Sequence, residues 1–127
     1  MALPIQPNMS HPLSALVVDD SQMTRKIHCH LLQSFGVQAR EAENGLEAVQ
    51  LLESGMKFDV ILMDYEMAIM NGAEVTRSTR DMGGTSIILG VSAVLDNVAR
   101  EEFINSGLDD LSDKPLTRSD LIWWVTI

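Results

Sequence analysis

Short apolar runs alternate along the chain with longer amphipathic stretches, and this alternation restricts the possible folds more than any other feature of the sequence. Residues 16–18, 60–63 and 87–91 are apolar apart from one glycine, and they are too short for helices. Such runs are typical of strands buried on both faces. Weaker strands are predicted at residues 37–42 and 110–112. The sequence therefore predicts five strands, three of them deeply buried.

The amphipathic stretches predict five helices. The first begins after Ser21, which we expect to be its N-cap, and the others begin near residues 46, 73, 97 and 117. An Asn-Gly turn is predicted at residues 44–45, before the second helix. The apolar face of the first helix is predicted to contain Thr24, Ile27, Leu31, Leu32 and Phe35. Alternating strands and helices predict an α/β domain with a five-stranded, parallel, doubly wound sheet and helices on both faces.

Composition limits the class of protein further. The 127 residues fit one domain, expected at residues 13–127 after a tail at residues 1–12. A formal net charge of −9 disfavours nucleic-acid binding, and no apolar stretch has the roughly 20 residues needed to cross a membrane. Cys29, the one cysteine, rules out an internal disulfide and favours a reducing compartment. We expect a cytoplasmic or nuclear monomer.

Polar side chains stand where four of the predicted strands end. Asp19 and Asp20 follow the first strand, Asp64 follows the third, Ser92 ends the fourth and Lys114 follows the fifth. In a doubly wound sheet, ligands bind beyond the carboxyl ends of the strands, so these side chains are expected to converge. Crowded carboxylates repel one another unless a cation neutralises them, and Mg²⁺ prefers oxygen ligands. The pattern therefore predicts a divalent-cation site.

This group of side chains can also transfer phosphoryl groups. A carboxylate can attack phosphorus to form an acyl phosphate, and the transfer depends mainly on positioning and neutralisation of charge. Lys114 would supply positive charge and Ser92 a hydrogen bond, while Asp64, alone at its strand end, is the strongest candidate nucleophile. No glycine-rich turn follows the first strand, which argues against a nucleotide site.

Five motifs in order and in register resemble the receiver domain of two-component response regulators, over residues 14 to 127. They are Val18-Asp19-Asp20, Met63-Asp64, Met70-Asn71-Gly72, Val91-Ser92-Ala93 and Asp113-Lys114-Pro115. The resemblance implies a flavodoxin-like fold of the receiver type. It also implies that Asp64 is the phosphoacceptor.

The same resemblance assigns the remaining site residues. Asp19 and Asp20 would be the acidic pair for Mg²⁺ or Mn²⁺, with Asp20 and Asp64 binding the ion directly and Glu66 contributing its backbone carbonyl. Ser92 would be the switch hydroxyl and Lys114 the phosphate-binding cation. The bond between Lys114 and Pro115 would be cis, as is usual in the family.

Since no output domain or extended tail is attached, the chain most resembles the short stand-alone plant receivers called type C. This implies a histidine-containing phosphotransfer protein as donor, in a cytokinin-type relay. The chain would catalyse its own phosphorylation and dephosphorylation without being a conventional enzyme. Two roles remain open. The domain is either a sink that drains phosphoryl groups and so regulates negatively, or a switch that binds a downstream partner when phosphorylated.

Of the departures from the family pattern, the one at Leu111 favours the sink, together with the absence of an attached output domain. Ala68 replaces a proline in the loop after the nucleophile, and Leu111 replaces the aromatic residue whose rotation reports phosphorylation. Val94, two residues after Ser92, cannot hold an attacking water by a hydrogen bond. Whether the Glu66 side chain holds such a water or repels it stays open at this stage.

Two further expectations concern the first predicted helix. Met23 lies outside the predicted apolar face and beside the acidic pair, and we expect it to dock the donor together with Pro115. His28 and His30 are two residues apart on a helix and point in different directions, so they cannot act as a pair. We expect both to have structural or surface roles.

Overall fold

The computed structural model describes residues 12–125, so the predicted tail at residues 1–12 lies outside the described residues except for Pro12. Strands and helices alternate throughout this part of the chain. In order they are β1 (Ser14–Val18), α1 (Gln22–Ser34), β2 (Gln38–Ala42), α2 (Gly45–Glu53), β3 (Val60–Met63), α3 (Gly72–Asp81), β4 (Ile87–Ser92), α4 (Asn97–Asn105), β5 (Asp110–Asp113) and α5 (Arg118–Ile122).

The five strands form one parallel sheet in the order β2-β1-β3-β4-β5, which confirms the predicted fold class. The chain passes from β1 outward to β2 and then returns to β3 on the other side of β1. Val18 lies opposite Met63 in this sheet, and Ser92 lies opposite Asp113. The order of the strands therefore reverses at β1 and β3, and the residues that follow these strands share one edge of the sheet.

Alternate residues of the central strands divide the core into two layers. On one face, Val17 and Leu62 pack with Leu32 of α1 and Leu121 of α5. On the other face, the sheet packs against α2, α3 and α4, and Phe103 of α4 is fully buried there. Because helices cover both faces, the three central strands β1, β3 and β4 are apolar in nearly every position, as their sequences indicated.

The buried face of α1 differs from the predicted one. His28, Cys29 and Leu32 are its buried residues, whereas Ile27 is 48% exposed. Leu32 was predicted correctly, and Leu31 and Phe35 pack against the core as expected, but the apolar pattern counted Ile27 as core and His28 as polar. The prediction was wrong on this point, although His28 does take the structural position expected of it and His30 is exposed.

The ends of two helices also differ from the predicted ends. Asn44 is the N-cap of α2, and its side chain accepts a hydrogen bond from the Glu47 amide, so the predicted turn at residues 44–45 is the start of a helix. Helix α5 ends at Ile122 instead of continuing to the end of the chain. Just beyond it, Trp124 is 3% exposed and Trp123 is 46% exposed.

Arg80 joins several segments at the edge of the fold that lies opposite the carboxyl ends of the strands. Its guanidinium donates to the carbonyls of Gly84, Ser86 and Gly107 over 2.8–3.1 Å, and it pairs with Asp109 at 3.1 Å. These contacts join the end of α3 to the start of β4 and to the loop after α4.

Among residues 12–125, α1 is the longest helix at 13 residues, and no helix there has the length and apolar character to cross a bilayer.

Candidate functional site

Three aspartates meet at the carboxyl ends of β1 and β3. Asp19 and Asp20 follow β1 directly, Asp64 follows β3, and the Asp64 amide donates to the carbonyl of Val18 over 3.0 Å. One carboxylate oxygen from each aspartate lies within 4.8 Å of the others. Asp19 and Asp64 are buried, whereas Asp20 is exposed. The parallel sheet thus brings residues from distant parts of the sequence into a single acidic cluster.

Lys114 lies between the two buried aspartates. Its Nζ is 2.8 Å from Asp19 Oδ2 and 2.9 Å from Asp64 Oδ1, and its backbone amide donates to the Ser92 carbonyl over 2.9 Å. The Ser92 hydroxyl is at the same edge and donates to the Ala93 carbonyl over 2.8 Å. The structure therefore brings together Asp19, Asp20, Asp64, Ser92 and Lys114, as the sequence led us to expect.

A cavity of about 480 Å³ opens over this cluster. Asp20, Asp64, Glu66, Ser92 and Lys114 all contribute to its walls. The cavity has room for a phosphoryl group next to the acidic cluster, because its volume is several times the roughly 30 Å³ that one water occupies in the liquid. The Glu66 side chain is exposed at the rim.

The electrostatics of the cluster are unbalanced. Burial raises the pKa of Asp64 to about 6, and Asp19 and Asp20 add to this, while Lys114 opposes it. Burial disfavours the charged form of Lys114, but its hydrogen bonds to Asp19 and Asp64 outweigh that effect and raise its pKa. Three carboxylates and one ammonium leave a net negative charge, and Asp64 retains a proton more readily than an ordinary aspartate.

The donor set fits a hard divalent cation. Three carboxylates within 4.8 Å of one another exceed what Lys114 alone neutralises, and oxygen is the ligand that Mg²⁺ and Mn²⁺ prefer. Asp20 and Asp64 line the open cavity and are therefore placed to bind the ion directly, and Glu66 lines the same cavity. Asp19 is directed to Lys114 and also accepts a hydrogen bond from the Ser21 amide over 2.9 Å.

The loop between β3 and α3 carries Glu66 and contains the one positive φ among the non-glycine residues described. Ile69 has φ = 76°, and the Met70 amide donates to the Ala68 carbonyl over 2.9 Å across it. An i-to-i+2 bond at positive φ is the rarer and strained form of the γ-turn, and a β-branched residue is unusual there. Ala68, where the family has proline, is therefore part of a sharply bent loop that is closed by the Gly72 amide donating to the Tyr65 carbonyl over 2.8 Å.

Sequence reasoning missed the support of the acidic loop by Arg25. The Arg25 guanidinium donates to the Asp19 carbonyl over 2.7 Å and to Glu41 Oε1 over 2.9 Å, and the arginine side chain is only 11% exposed. Lys26 also pairs with Glu41 at 2.6 Å. Basic residues five to seven positions after an acidic pair, with a glutamate in the next strand, are a weak signal, because such charges more often face solvent.

The residues expected to dock a donor surround the site without joining it. Met23 is 75% exposed on the first turn of α1, and Pro115 is exposed beside Lys114. Val94 is 97% exposed, which places its apolar side chain in solvent. The bond between Lys114 and Pro115 is cis, as the resemblance implied.

The fold and the acidic site define the class of this protein. The pattern described as response regulator receiver domain matches residues 15–126, and the chain belongs to this family. Several of the curated proteins to which it is similar are plant response regulators. It is 44% identical over 117 residues to Two-component response regulator 24 of Arabidopsis thaliana, covering 91% of this chain and 84% of that protein.

Two further comparisons agree. Two-component response regulator ORR42 of Oryza sativa is 41% identical over 98 residues, covering 76% of this chain and 73% of that protein. Among solved structures, chemotaxis protein CheY4 of Vibrio cholerae has a TM-score of 0.78 at 27% identity, covering 88% of this chain and 94% of the other. The predicted resemblance to receivers, and to short plant regulators in particular, is confirmed.

Proposed function

We propose that this chain acts as a stand-alone receiver in a His-to-Asp phosphorelay and accepts a phosphoryl group on Asp64. The observation that carries the proposal is the position of the Lys114 ammonium, 2.9 Å from Asp64 and 2.8 Å from Asp19 on the wall of an open acidic cavity. A structural ion pair would have no need of the third carboxylate, Asp20, or of a cavity large enough for phosphate. We propose a cytokinin-type relay in the cytoplasm or nucleus, with a histidine-containing phosphotransfer protein as donor; the likeness to two-component response regulators of plants is consistent with a relay of this kind.

In the first step, an Asp64 carboxylate oxygen attacks phosphorus, an oxygen–phosphorus bond forms, and the nitrogen–phosphorus bond of the donor histidine breaks. Lys114 and the Ser92 hydroxyl would bind oxygens of the arriving phosphoryl group. Asp20, Asp64 and the Glu66 carbonyl would hold Mg²⁺ or Mn²⁺, which supplies positive charge that offsets that of the phosphoryl oxygens. In the second step, water attacks phosphorus, inorganic phosphate leaves, and the Asp64 carboxylate is restored.

We propose further that the domain is a sink for phosphoryl groups. Leu111 packs over Gly90, where an added Cβ would lie 2.9 Å from the Leu111 Cδ1 atom and 2.9 Å from the Phe103 ring. Leu111 packs against the part of the core that contains Phe103 of α4. Because its side chain is apolar, it has no polar group to exchange between the interior and the surface. The leucine at position 111, which argues against a switch because it replaces the family's aromatic residue, therefore also packs tightly against Gly90.

A time course of phosphoryl transfer and loss separates the two roles. Radiolabelled donor is mixed with the protein in Mg²⁺ and, in parallel, in excess chelator. We expect labelling of the chain in Mg²⁺ and loss of the label within minutes, because a sink must return to the free state quickly. In chelator, we expect transfer to fall by at least about a hundredfold, since the charge in the site is then not neutralised.

A label that persists for hours would overturn the sink and favour the switch that binds a downstream partner. No labelling in either condition, with a control receiver accepting label from the same donor, would overturn the proposed function as a whole.

The donor is proposed to dock beside Met23 and Pro115. Met23 and Ile27 are one helical turn apart on α1 and are 75% and 48% exposed, so they form an apolar strip that leads toward the site. Exposed apolar side chains next to a charged pocket are typical of a protein-binding surface.

We expect Met23→Asp to weaken donor binding by about tenfold, because a charge would be buried where a thioether packed. Met82→Asp is the matched control, since Met82 is 44% exposed at the end of α3, away from the site. Equal affinity of the two variants for the donor, measured by calorimetry, would contradict docking at Met23.

A further inference from the structure

A buried histidine lies beneath the loop that carries Lys114. His28 is only 1% exposed, and its Nε2 atom accepts a hydrogen bond from the Leu116 amide over 3.1 Å. The two residues are 88 positions apart, and the bond joins α1 to the segment between β5 and α5. A buried histidine with a defined partner in this place is a specific feature, because an apolar side chain would fill the same space without any bond.

The segment from Lys114 to Leu116 has two backbone donors, and both are satisfied. The Lys114 amide donates to the Ser92 carbonyl over 2.9 Å, Pro115 has no amide hydrogen, and the Leu116 amide donates to His28. One end of the segment is thus held by β4 and the other by α1. The conformation that directs Lys114 toward Asp19 and Asp64 depends on both of these bonds.

The state of the ring agrees with this role. A histidine nitrogen accepts a hydrogen bond only when it carries no proton, so the ring is neutral with its proton on Nδ1. Burial lowers the pKa of His28, with opposing effects from Asp19, which raises it, and from Lys114, which lowers it further. At neutral pH the imidazole is therefore available as an acceptor.

We infer that His28 is a positioning residue for phosphoryl binding, because its hydrogen bond to Leu116 fixes the loop that directs Lys114 into the site. The inference rests on the proposed function, since it gives Lys114 a phosphoryl group to bind. His28 itself touches neither the acidic cluster nor the cavity wall. Its effect is on the placement of the lysine and leaves the cation ligands in place.

Two substitutions at position 28 separate this role from simple packing. His28→Leu fills the core but offers no acceptor to the Leu116 amide. His28→Gln keeps an acceptor oxygen at nearly the same distance from the backbone as the Nε2 atom of histidine. The exposed neighbour His30 provides the matched control, His30→Leu. The variants are compared at a temperature where circular dichroism shows all of them to be folded.

The probe is beryllofluoride, which mimics a phosphoryl group, titrated in saturating Mg²⁺ and followed by the amide resonance of Ala93. We expect His28→Leu to weaken beryllofluoride binding by about tenfold, and His28→Gln and His30→Leu to stay within about threefold of the unaltered protein. Mg²⁺ affinity alone should be unchanged in all three. The Leu116 amide should exchange with solvent at least about tenfold faster in His28→Leu only.

Each outcome bears on a different claim. If the unaltered protein does not bind beryllofluoride, the proposed function is overturned and this inference with it. If the unaltered protein binds and His28→Leu binds equally well, only the inference is overturned. Equal loss in His28→Leu and His28→Gln would also overturn it, because the effect would then come from packing.

Discussion

The substitution Asp64→Asn is expected to abolish phosphoryl uptake and, at the same time, to stabilise the cation-free protein. Uptake should fall below detection, since an amide oxygen is a far weaker nucleophile than a carboxylate, and the other carboxylates on the cavity wall, Asp20 and Glu66, do not pair with Lys114. Stability should rise because a buried carboxylate beside Asp19 and Asp20 is removed, and Asn can still accept a hydrogen bond from Lys114.

The raised pKa of Asp64 determines how the stability of the folded protein changes with pH. The folded protein holds the Asp64 proton up to a pKa of about 6, against 3.8 for an ordinary aspartate. Between these values the folded state binds more protons than the unfolded chain, so stability falls as the pH rises. At pH 8 the decrease in stability caused by ionisation of Asp64 is complete. Asp64→Asn should then recover on the order of 1–3 kcal/mol of unfolding free energy.

Urea unfolding in chelator at pH 5 and pH 8 measures the effect. Asp113→Asn is a suitable control, because Asp113 is an exposed aspartate at the end of β5 and its loss should change stability by no more than about 0.5 kcal/mol. A destabilised Asp64→Asn protein at pH 8 would contradict the electrostatic argument. Labelling that survives in Asp64→Asn would show that another residue accepts the phosphoryl group.

Gly72→Ala is expected to damage both the fold and the site. A Cβ atom at position 72 would overlap the carbonyl oxygen of Asp64 and lie 3.0 Å from the Phe103 ring, so the backbone of one segment must move. We expect a loss of about 2–4 kcal/mol in unfolding free energy, since both obstacles are rigid. Phosphoryl transfer should also fall sharply in the fraction that folds, because the displaced atom belongs to the proposed acceptor.

Gly83→Ala is the control, because it replaces a glycine at a position where an added Cβ meets no other atom. Gly83 lies just beyond the other end of α3 at φ = 81°, and nothing lies within 4 Å of the position that a Cβ would take there. Its substitution should cost only the backbone strain, about 1–2 kcal/mol, and leave transfer intact. If Gly72→Ala were no more harmful than Gly83→Ala in urea unfolding and in the transfer assay, close packing against Asp64 would not matter.

The convergence of the site could be predicted because parallel strands have one simple geometric property. Asp20, Asp64, Ser92 and Lys114 are far apart in the sequence, but each stands at a strand end, and the strand ends share one edge of the sheet. Apolar runs locate the ends of β1, β3 and β4 well, because strands buried on both faces are almost entirely apolar until they leave the core, whereas β5 is mostly polar and gives a weaker signal. The roles of these residues nevertheless remain proposals.

The supporting contacts could not be predicted for an equally physical reason. The bond between His28 and Leu116 and the contact of Arg25 with the Asp19 carbonyl both end on backbone atoms. Nearly every residue has the same backbone donor and acceptor, so the sequence does not indicate which backbone group a side chain will bind. The positive φ of Ile69 is hidden in the same way, because its β-branched side chain argues against that conformation.

The clamp formed by Arg80 has a mechanical consequence for α4. Its bonds to the Gly107 carbonyl and to Asp109 anchor the stretch just after this helix, at the edge remote from Asp64. The opposite end of α4 begins at Asn97, after an exposed loop that contains Val94. The C-terminal end of α4 is therefore fixed to α3 and to the start of β4, whereas its N-terminal end follows a solvent-exposed loop beside Ser92.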